Sequence, residues 1–381
     1  MNAIPYGKQQ ITEEDIQAVL EVLKSDFLTQ GPAVEVFEKK FCEFVGCRYA
    51  VAVTNGTAAL HLAALALNVK PGDKVLCTTN SFVASANCIL YCGGEIEFVD
   101  IDPKTFCIDL DILEDKLKSD NSINYKGIVA VDFAGYPMNF ERVKKLADKY
   151  GLWVIEDACH ALGAEFKDSQ GNKRQSGDGT SADIAVFSFH PVKHIATGEG
   201  GMVVTNDQSL YEKLKLLRTH GITKNPDKMG QVDGGWYYEM QELGYNYRIS
   251  DILCALGTSQ LKRIENNLEI RKKIAANYDR ELKGLVSTPI VDKNLKHAYH
   301  LYVIQTDKRK ELYEYLKKNQ IFTQVHYIPI HTQPFYRQKY GRISLEKSEH
   351  FYSQALSLPM YHGLSENDQT VVIDRIREFF K

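Results

Sequence analysis

Three places in the chain put reactive side chains next to apolar runs. Lys193 follows the run at 184–188 in Phe187-Ser188-Phe189-His190-Pro191-Val192-Lys193, and it leads into Gly198-Glu199-Gly200-Gly201. Lysine is among the side chains least often buried. One drawn into apolar surroundings sheds its proton more easily and becomes a nucleophilic amine. The alternative is a surface lysine whose stem lies over the end of the run. Asp157 follows the run at 152–156, in Glu156-Asp157-Ala158-Cys159-His160. A carboxylate there needs a partner, which could be a metal ion, the first turn of a helix, or a cationic ring nitrogen. Thr54-Asn55-Gly56-Thr57 separates the run at 49–53 from the helical AALHLAALAL. A turn of small residues opening a helix offers free N–H groups and a positive dipole end to a phosphate; an ordinary cap by Thr54 or Asn55 is the alternative. His190 and His194 stand four apart, but Pro191 between them breaks the helix face that a two-histidine metal site needs. The Gly198–Gly201 run leads into a strand and lacks G-x-G-x-x-G followed by a helix, so it is not a nucleotide loop.

The elements that must position these residues are read from periodicity. Seven short apolar runs, at 49–53, 74–78, 95–99, 127–131, 152–156, 184–188 and 201–205, alternate with helical segments. Most are continuous rather than alternating, the pattern of strands covered on both faces. They predict an open, mostly parallel seven-stranded α/β sheet over the first two-thirds of the chain. Ahead of it, 12–24 predicts a helix opened by a Thr12/Asp15 capping box, and 34–45 a second helix. Beyond it come a long helix at 252–282, a strand at 297–306, a charged helix at 308–319, a second strand at 321–327 and a closing helix at 365–380. The stretches 167–181 and 222–243 have no period and read as surface loops. This places a large domain at 1–255 and a smaller α+β domain at 256–381.

Ligands of an open α/β sheet gather at the carboxyl ends of its strands, where all three places fall. Together they match what pyridoxal 5'-phosphate requires: an amine for its aldehyde, a carboxylate for its pyridine nitrogen, and a helix N-terminus for its phosphate. The rest of the composition sets bounds. The 381 residues are 44% hydrophobic and 25% charged, with 46 Lys and Arg against 49 Asp and Glu. That balance carries no footprint for nucleic acid or an anionic membrane. No run approaches a membrane span, the N-terminus lacks a signal peptide's apolar run, and the cysteines form no CxxC pair. A cytoplasmic protein with reduced thiols and no bound metal is expected.

On its motifs the chain resembles the DegT/DnrJ/EryC1/StrS sugar aminotransferases, a branch of the fold-type I pyridoxal-phosphate enzymes. The resemblance runs from about residue 4 to residue 375. It is carried by LTQGP at 28–32, NGTAAL at 55–60, EDACHALGAEF at 156–166, FSFHPVKHIATGEGG at 187–201, RTHGI at 218–222, GYNYRISDILCALG at 244–257 and QVHYIPIH at 324–331. NSFVASAN at 80–87, CHALG at 159–163, FSFHPVKH and HYIP are most similar to the branch serving pseudaminic acid synthesis. That branch aminates C4 of a UDP-linked 4-keto-6-deoxy-N-acetylhexose with L-glutamate as donor. The resemblance implies that Lys193 binds the cofactor aldehyde and moves the proton, and that Asp157 pairs with the ring nitrogen. It puts His160 near the ring hydroxyl, Phe82 on the ring, and Gly56, Thr57 and Ser188 on the phosphate. It further implies a homodimer with shared sites, in which Asn246 reaches the neighbour's cofactor phosphate. The sugar nucleotide would meet Tyr6, Asp26, Phe27, Leu28, Thr29, His326, Tyr327, Ile328 and Pro329.

Two departures stand out: many members carry Gln in place of His160, and the loops at 167–181 and 222–243 look longer than usual. A dehydratase subgroup has histidine at the lysine, so Lys193 disfavours that activity. The rival readings are a sugar-nucleotide aminotransferase acting at C3 or on a dTDP-linked 4-keto sugar, and a cofactor-binding regulator without catalysis. A dinucleotide-dependent dehydrogenase is the weakest, for want of G-x-G-x-x-G after the first strand.

Overall fold

The structure, a computed structural model, describes residues 3–119 and 124–381. Thirteen strands form among them. The first five are β1 (Tyr49–Val53), β2 (Lys74–Thr78), β3 (Glu95–Val99), β4 (Tyr125–Val131) and β5 (Trp153–Asp157). A short hairpin, β6 (Glu165–Lys167) and β7 (Lys173–Gln175), precedes β8 (Ile184–Ser188) and β9 (Gly201–Thr205). Last come β10 (Ile222–Thr223), β11 (Glu239–Met240), β12 (Tyr302–Gln305) and β13 (Ala355–Leu358).

The central sheet has seven strands in the order β1-β9-β8-β5-β4-β2-β3. Strand β9 runs antiparallel to both neighbours, and the other pairs are parallel. All seven strands expected from the apolar runs are present. Their continuous apolar character follows from burial on both faces. Val51 and Val53 point into a cluster with Ile155 and Val186, while Ala50 and Ala52 point the other way, toward Phe41, Phe187 and Phe189. Phe37, Phe41, Phe187 and Phe189 pack ring against ring. Each such side chain contributes about 1.5–3 kcal/mol of burial.

The edge strand β1 presents unpaired backbone groups. Glu38, on the helix Pro32–Val45, accepts from Ala52 N at 2.9 Å, and Arg218 bonds both Glu38 (2.7 Å) and the Ala52 carbonyl (2.8 Å). The capping box at Thr12 and Asp15 forms as expected at the start of the helix Glu13–Leu23. That helix nevertheless turns Ile16, Leu20 and Leu23 outward, while Asp15 is buried against Arg263.

The C-terminal part departs from the sequence expectation in several places. The expected long helix divides into Asp251–Leu261 and Ile264–Glu281. At the break, Gln260 and Arg263 bond Asp15 and the Gln10 carbonyl, so the N-terminal segment holds the chain there. The expected strand at 297–306 shrinks to β12, and 321–327 forms only single bridges, Ile321 to Ile4 and Gln324 to Ser357. The partner of β12 is β13, antiparallel to it. This pair alternates: Val303 and Ala355 face the central-sheet core, and Tyr302, Ile304, Leu356 and Leu358 face a separate core with Tyr278, Leu312 and Ile376. The helices Pro334–Tyr340 and Glu346–Gln354 lie between them in sequence, and Glu366–Phe379 closes the chain. The loop at 222–243 contains the small hairpin β10/β11, and the hairpin β6/β7 overlaps the first part of the loop at 167–181. No helix among the described residues is long and apolar enough to cross a membrane.

Candidate active site

The parallel strands bring Asp157 and Ser188 to one end of the sheet, and the double reversal through β9 brings the end of β1 there too. A cavity of about 700 Å³ opens at that end. A second groove, of about 840 Å³, runs past Asp102, Glu141, Arg142 and Asp168. It holds none of the residues singled out from the sequence, and its Arg142 and Lys145 are engaged in ion pairs.

Strand alternation aims the side chains. Phe187 and Phe189 fill the core beneath, so Ser188 between them points to the cavity rim. Opposite it, Asn55 caps the helix Gly56–Ala66 by accepting from Ala58 N at 2.8 Å. The cap and the phosphate turn are therefore compatible, since Gly56 and Thr57 line the cavity and their amides have no protein acceptor among the described residues. A Cβ on Gly56 would stand 2.9 Å from Ser188 Cβ, so only glycine lets the two segments close up.

Asp157 ends β5 on the same face as Ile155, while Glu156 points to the other side. Asp157 is buried, and each of its oxygens has a donor: Ser85 Oγ at 2.6 Å and Cys159 N at 3.1 Å. Ser85 is bonded in turn to Ser81 at 2.7 Å. On the far face Glu156 and Asp132 form a buried acidic pair, and burial raises both carboxyls, that of Asp132 to about 7.

Lys193 sits in the loop joining β8 to β9, which is closed by Phe189 N to Gly200 O (2.8 Å) and Thr197 N to Phe189 O (2.9 Å). Burial lowers the pKa of its amine, with the Asp157 carboxylate among the groups opposing that shift. Four imidazoles surround it, those of His160, His194, His300 and His326, all pushed well below the ordinary histidine value by burial first. His160 Nδ1 accepts from Ala134 N at 3.3 Å, which puts the ring hydrogen on Nε2, 3.2 Å from Tyr327 Oη. The Tyr327 hydroxyl hydrogen is then free to point into the cavity. Ala134 holds a left-handed φ of 58°, a strained conformation for a residue with a Cβ.

The cavity also takes in Phe82, Tyr6 and His326. Phe82 is 57% exposed although it sits inside a cleft, an apolar ring available to a flat partner. Free amides at a helix N-terminus, a buried carboxylate, an amine of lowered pKa and this open ring fit pyridoxal phosphate. Among the described residues no cluster of three or more His, Cys, Asp or Glu is placed to hold a metal ion.

Other residues singled out from the sequence lie elsewhere. Ile328 is exposed and Pro329 is buried, both outside the cavity. Asp26, Phe27, Leu28 and Thr29 are on the surface, and so is Asn246. Thr29 bridges Ser250 and Leu28 O accepts from Asp251 N, so these two segments share one exposed patch. Sequence reasoning passed over Ser85 and His300. The signals were there: Ser81 and Ser85 stand four apart in NSFVASAN, and two histidines flank HAYH at 297–300.

Comparison with known proteins gives the family. The model of the DegT/DnrJ/EryC1/StrS aminotransferase family matches residues 9–377. The chain is 40% identical to UDP-4-amino-4,6-dideoxy-N-acetyl-beta-L-altrosamine transaminase of Campylobacter jejuni, over 98% of this chain and 96% of that protein. It is 37% identical to spore coat polysaccharide biosynthesis protein SpsC of Bacillus subtilis, over 99% and 97%. The structure of Helicobacter pylori PseC, an aminotransferase involved in the biosynthesis of pseudoaminic acid, aligns with a TM-score of 0.89 at 34% identity, over 100% of this chain and 99% of that one. With the fold, the match across nearly all of its length and a cavity that fits the cofactor, the chain belongs to the DegT/DnrJ/EryC1/StrS family and is a pyridoxal-phosphate-dependent sugar aminotransferase of fold type I.

Proposed function

We propose that the enzyme moves the amino group of L-glutamate to C4 of UDP-2-acetamido-2,6-dideoxy-β-L-arabino-hex-4-ulose. The product is UDP-4-amino-4,6-dideoxy-N-acetyl-β-L-altrosamine, a precursor of pseudaminic acid. The reaction class rests on one observation: Lys193, Asp157 and the free amides of Gly56 and Thr57 line a single cavity. The substrate rests on the Campylobacter and Helicobacter relatives.

Bound pyridoxal phosphate supplies an electron sink that makes the amino acid's α-hydrogen acidic. Gly56, Thr57 and Ser188 would hold its phosphate, Asp157 would keep a proton on its ring nitrogen, and Phe82 would cover its ring. Lys193 Nζ, of lowered pKa, would move a proton between the glutamate α-carbon and the cofactor's C4′ in the first half-reaction, and between C4′ and C4 of the sugar in the second. His160 and Tyr327 present a hydroxyl to the same space. Tyr6 and His326, with ring centres 5.6 Å apart, form the substrate-side wall.

We assign Asn246 and Asp26–Thr29 to the partner's cavity in a homodimer. Their shared exposure beside Phe27 and Leu28 supports that reading. The division into 1–255 and 256–381 and the cytoplasmic location expected from the sequence belong to the same proposal; residue 255 falls within the helix Asp251–Leu261.

The rival is a different sugar nucleotide, acted on at C3 or carried on dTDP. It is favoured by the similar identity to SpsC, whose name is that of a spore coat polysaccharide biosynthesis protein. Incubating the enzyme with pyridoxal phosphate, L-glutamate and a panel of UDP- and dTDP-linked keto sugars, read by mass spectrometry, separates the two. Amination confined to the UDP-linked L-arabino 4-keto sugar supports the proposal, and preferential amination of another panel member replaces it.

A further inference from the structure

Lys193 Nζ has one hydrogen-bond partner among the described residues, His300 Nε2 at 3.5 Å. The His300 ring is buried between two others, 4.4 Å from the His160 ring centre and 5.7 Å from that of His194. Its Nδ1 is buried and has no partner among the described residues. A neutral ring with its hydrogen on Nδ1 keeps the Nε2 lone pair for the lysine, the one polar group that it reaches among those residues.

The backbone behind the ring is held firmly. Arg271, only 1% exposed, donates Nη1 to the carbonyls of Tyr299 (3.0 Å), His300 (3.4 Å) and Met360 (3.0 Å). Tyr299 takes a left-handed φ of 48°, with its N–H on His297 Nδ1 at 2.8 Å. The helix Ile264–Glu281 thus fixes, through three carbonyls, where one imidazole meets the lysine.

We propose that His300 is a positioning residue for Lys193: its Nε2 lone pair receives one N–H of the lysine whenever Nζ carries a proton, and so aims the remaining N–H bonds into the cavity. This rests on the reading that Lys193 moves the proton in transamination. The other ionisable groups facing the lysine are Asp157 and Cys159 at the end of β5, and His160, His194 and His326, with Arg271 behind His300. Among the described residues only His300 offers Nζ a hydrogen bond. A neutral acceptor for an ammonium makes a charge-assisted bond, stronger than the same contact with the free amine. The imidazole therefore steadies Lys193 in the state in which it acts as the acid.

The test follows the lysine itself and uses neither amino donor nor sugar. Full-length protein stripped of cofactor is mixed with pyridoxal phosphate between about pH 6 and pH 10. The rate of cofactor uptake by absorbance tracks the fraction of free Lys193 amine, and Lys193→Ala supplies the blank. His300→Phe keeps an aromatic ring in place and removes both nitrogens, so the inflection moves down by about one pH unit. His300→Gln restores an acceptor and brings the inflection back to within about 0.3 unit of the wild type. If circular dichroism shows that the Phe variant does not fold, His300→Asn, too short to reach Nζ, takes its place with the same expected shift. An unmoved inflection in the Phe or Asn variant, or a Gln variant displaced as far as they are, overturns the proposal. A wrong sugar or donor leaves these curves untouched and shows up only as missing product.

Discussion

The floor of the cavity and the exposed surface at 26–29 and Asn246 are built on opposite principles. On the floor Asp157, His160 and His300 are each 4% exposed, and their main polar contacts come from within the chain. On the patch Phe27 is 53% and Leu28 48% exposed, and Asn246 faces outward. The helix Glu13–Leu23 adds Ile16 and Leu23 to the exposed apolar surface. The contrast teaches that one chain encloses Lys193, Asp157 and His300 by itself, whereas the segment 26–29 and Asn246, which the proposal gives to a neighbour's site, stay open in it. A second copy of the chain is what this account places there.

The largest effect that would break this comparison lies on the floor. Lys193→Ala should lower turnover by about 10⁴-fold or more, because no other lysine among the described residues lines the cavity. Asp157→Asn keeps the shape but weakens the hold on the ring-nitrogen proton, and kcat should fall by about 10²–10³-fold. A steady-state assay of 2-oxoglutarate checks both, and near-native rates would contradict the assigned roles.

The patch is tested by mixing. If Asn246 serves the neighbour's site, equal amounts of Lys193→Ala and Asn246→Asp chains, each nearly inactive alone, should recover about a quarter of wild-type activity. Random pairing makes half of the dimers mixed, and each mixed dimer holds one intact site of two. No recovery after demonstrated subunit exchange would mean that the sites are not shared.

Smaller changes sharpen the account of the floor. Ser85→Ala removes a hydroxyl donor from the Asp157 carboxylate, and kcat should fall by about tenfold with little change in fold. On the far face burial raises the carboxyls of both Asp132 and Glu156. Above about pH 4, where an unfolded carboxyl ionises, the folded chain keeps protons on this pair that the unfolded chain has released, so stability falls as pH rises. Asp132→Asn combined with Glu156→Gln should flatten that drop in Tm in calorimetry. An unchanged slope would remove the pair from that role.

Much of the floor was legible in the sequence because it hangs on strand ends. Continuous apolar runs marked the seven strands, and Asp157, Ser188 and the Gly56 turn are read off where those runs stop. Lys193 stood out as a charge among apolar residues and glycines. What stayed hidden depends on contacts distant in sequence. His300 lies 107 residues from the lysine it touches, and Ser85 lies 72 residues from Asp157. The expected strand at 321–327 failed because apolar character cannot say which segment pairs with β12; Ala355–Leu358 does. The break after Leu261 depends on Asp15, some 248 residues away. The apolar stripe of the helix Glu13–Leu23 foretold a helix but not that the stripe would face outward.

The central claim is that Lys193 carries the proton for amino transfer within this cavity. The most direct measurement is a single-turnover half-reaction: enzyme loaded with pyridoxal phosphate, an excess of L-glutamate, no sugar, and 2-oxoglutarate counted per chain. The account predicts about one equivalent from the wild type and none above background from Lys193→Ala on the same timescale. A full equivalent from the Lys193→Ala chain would contradict it.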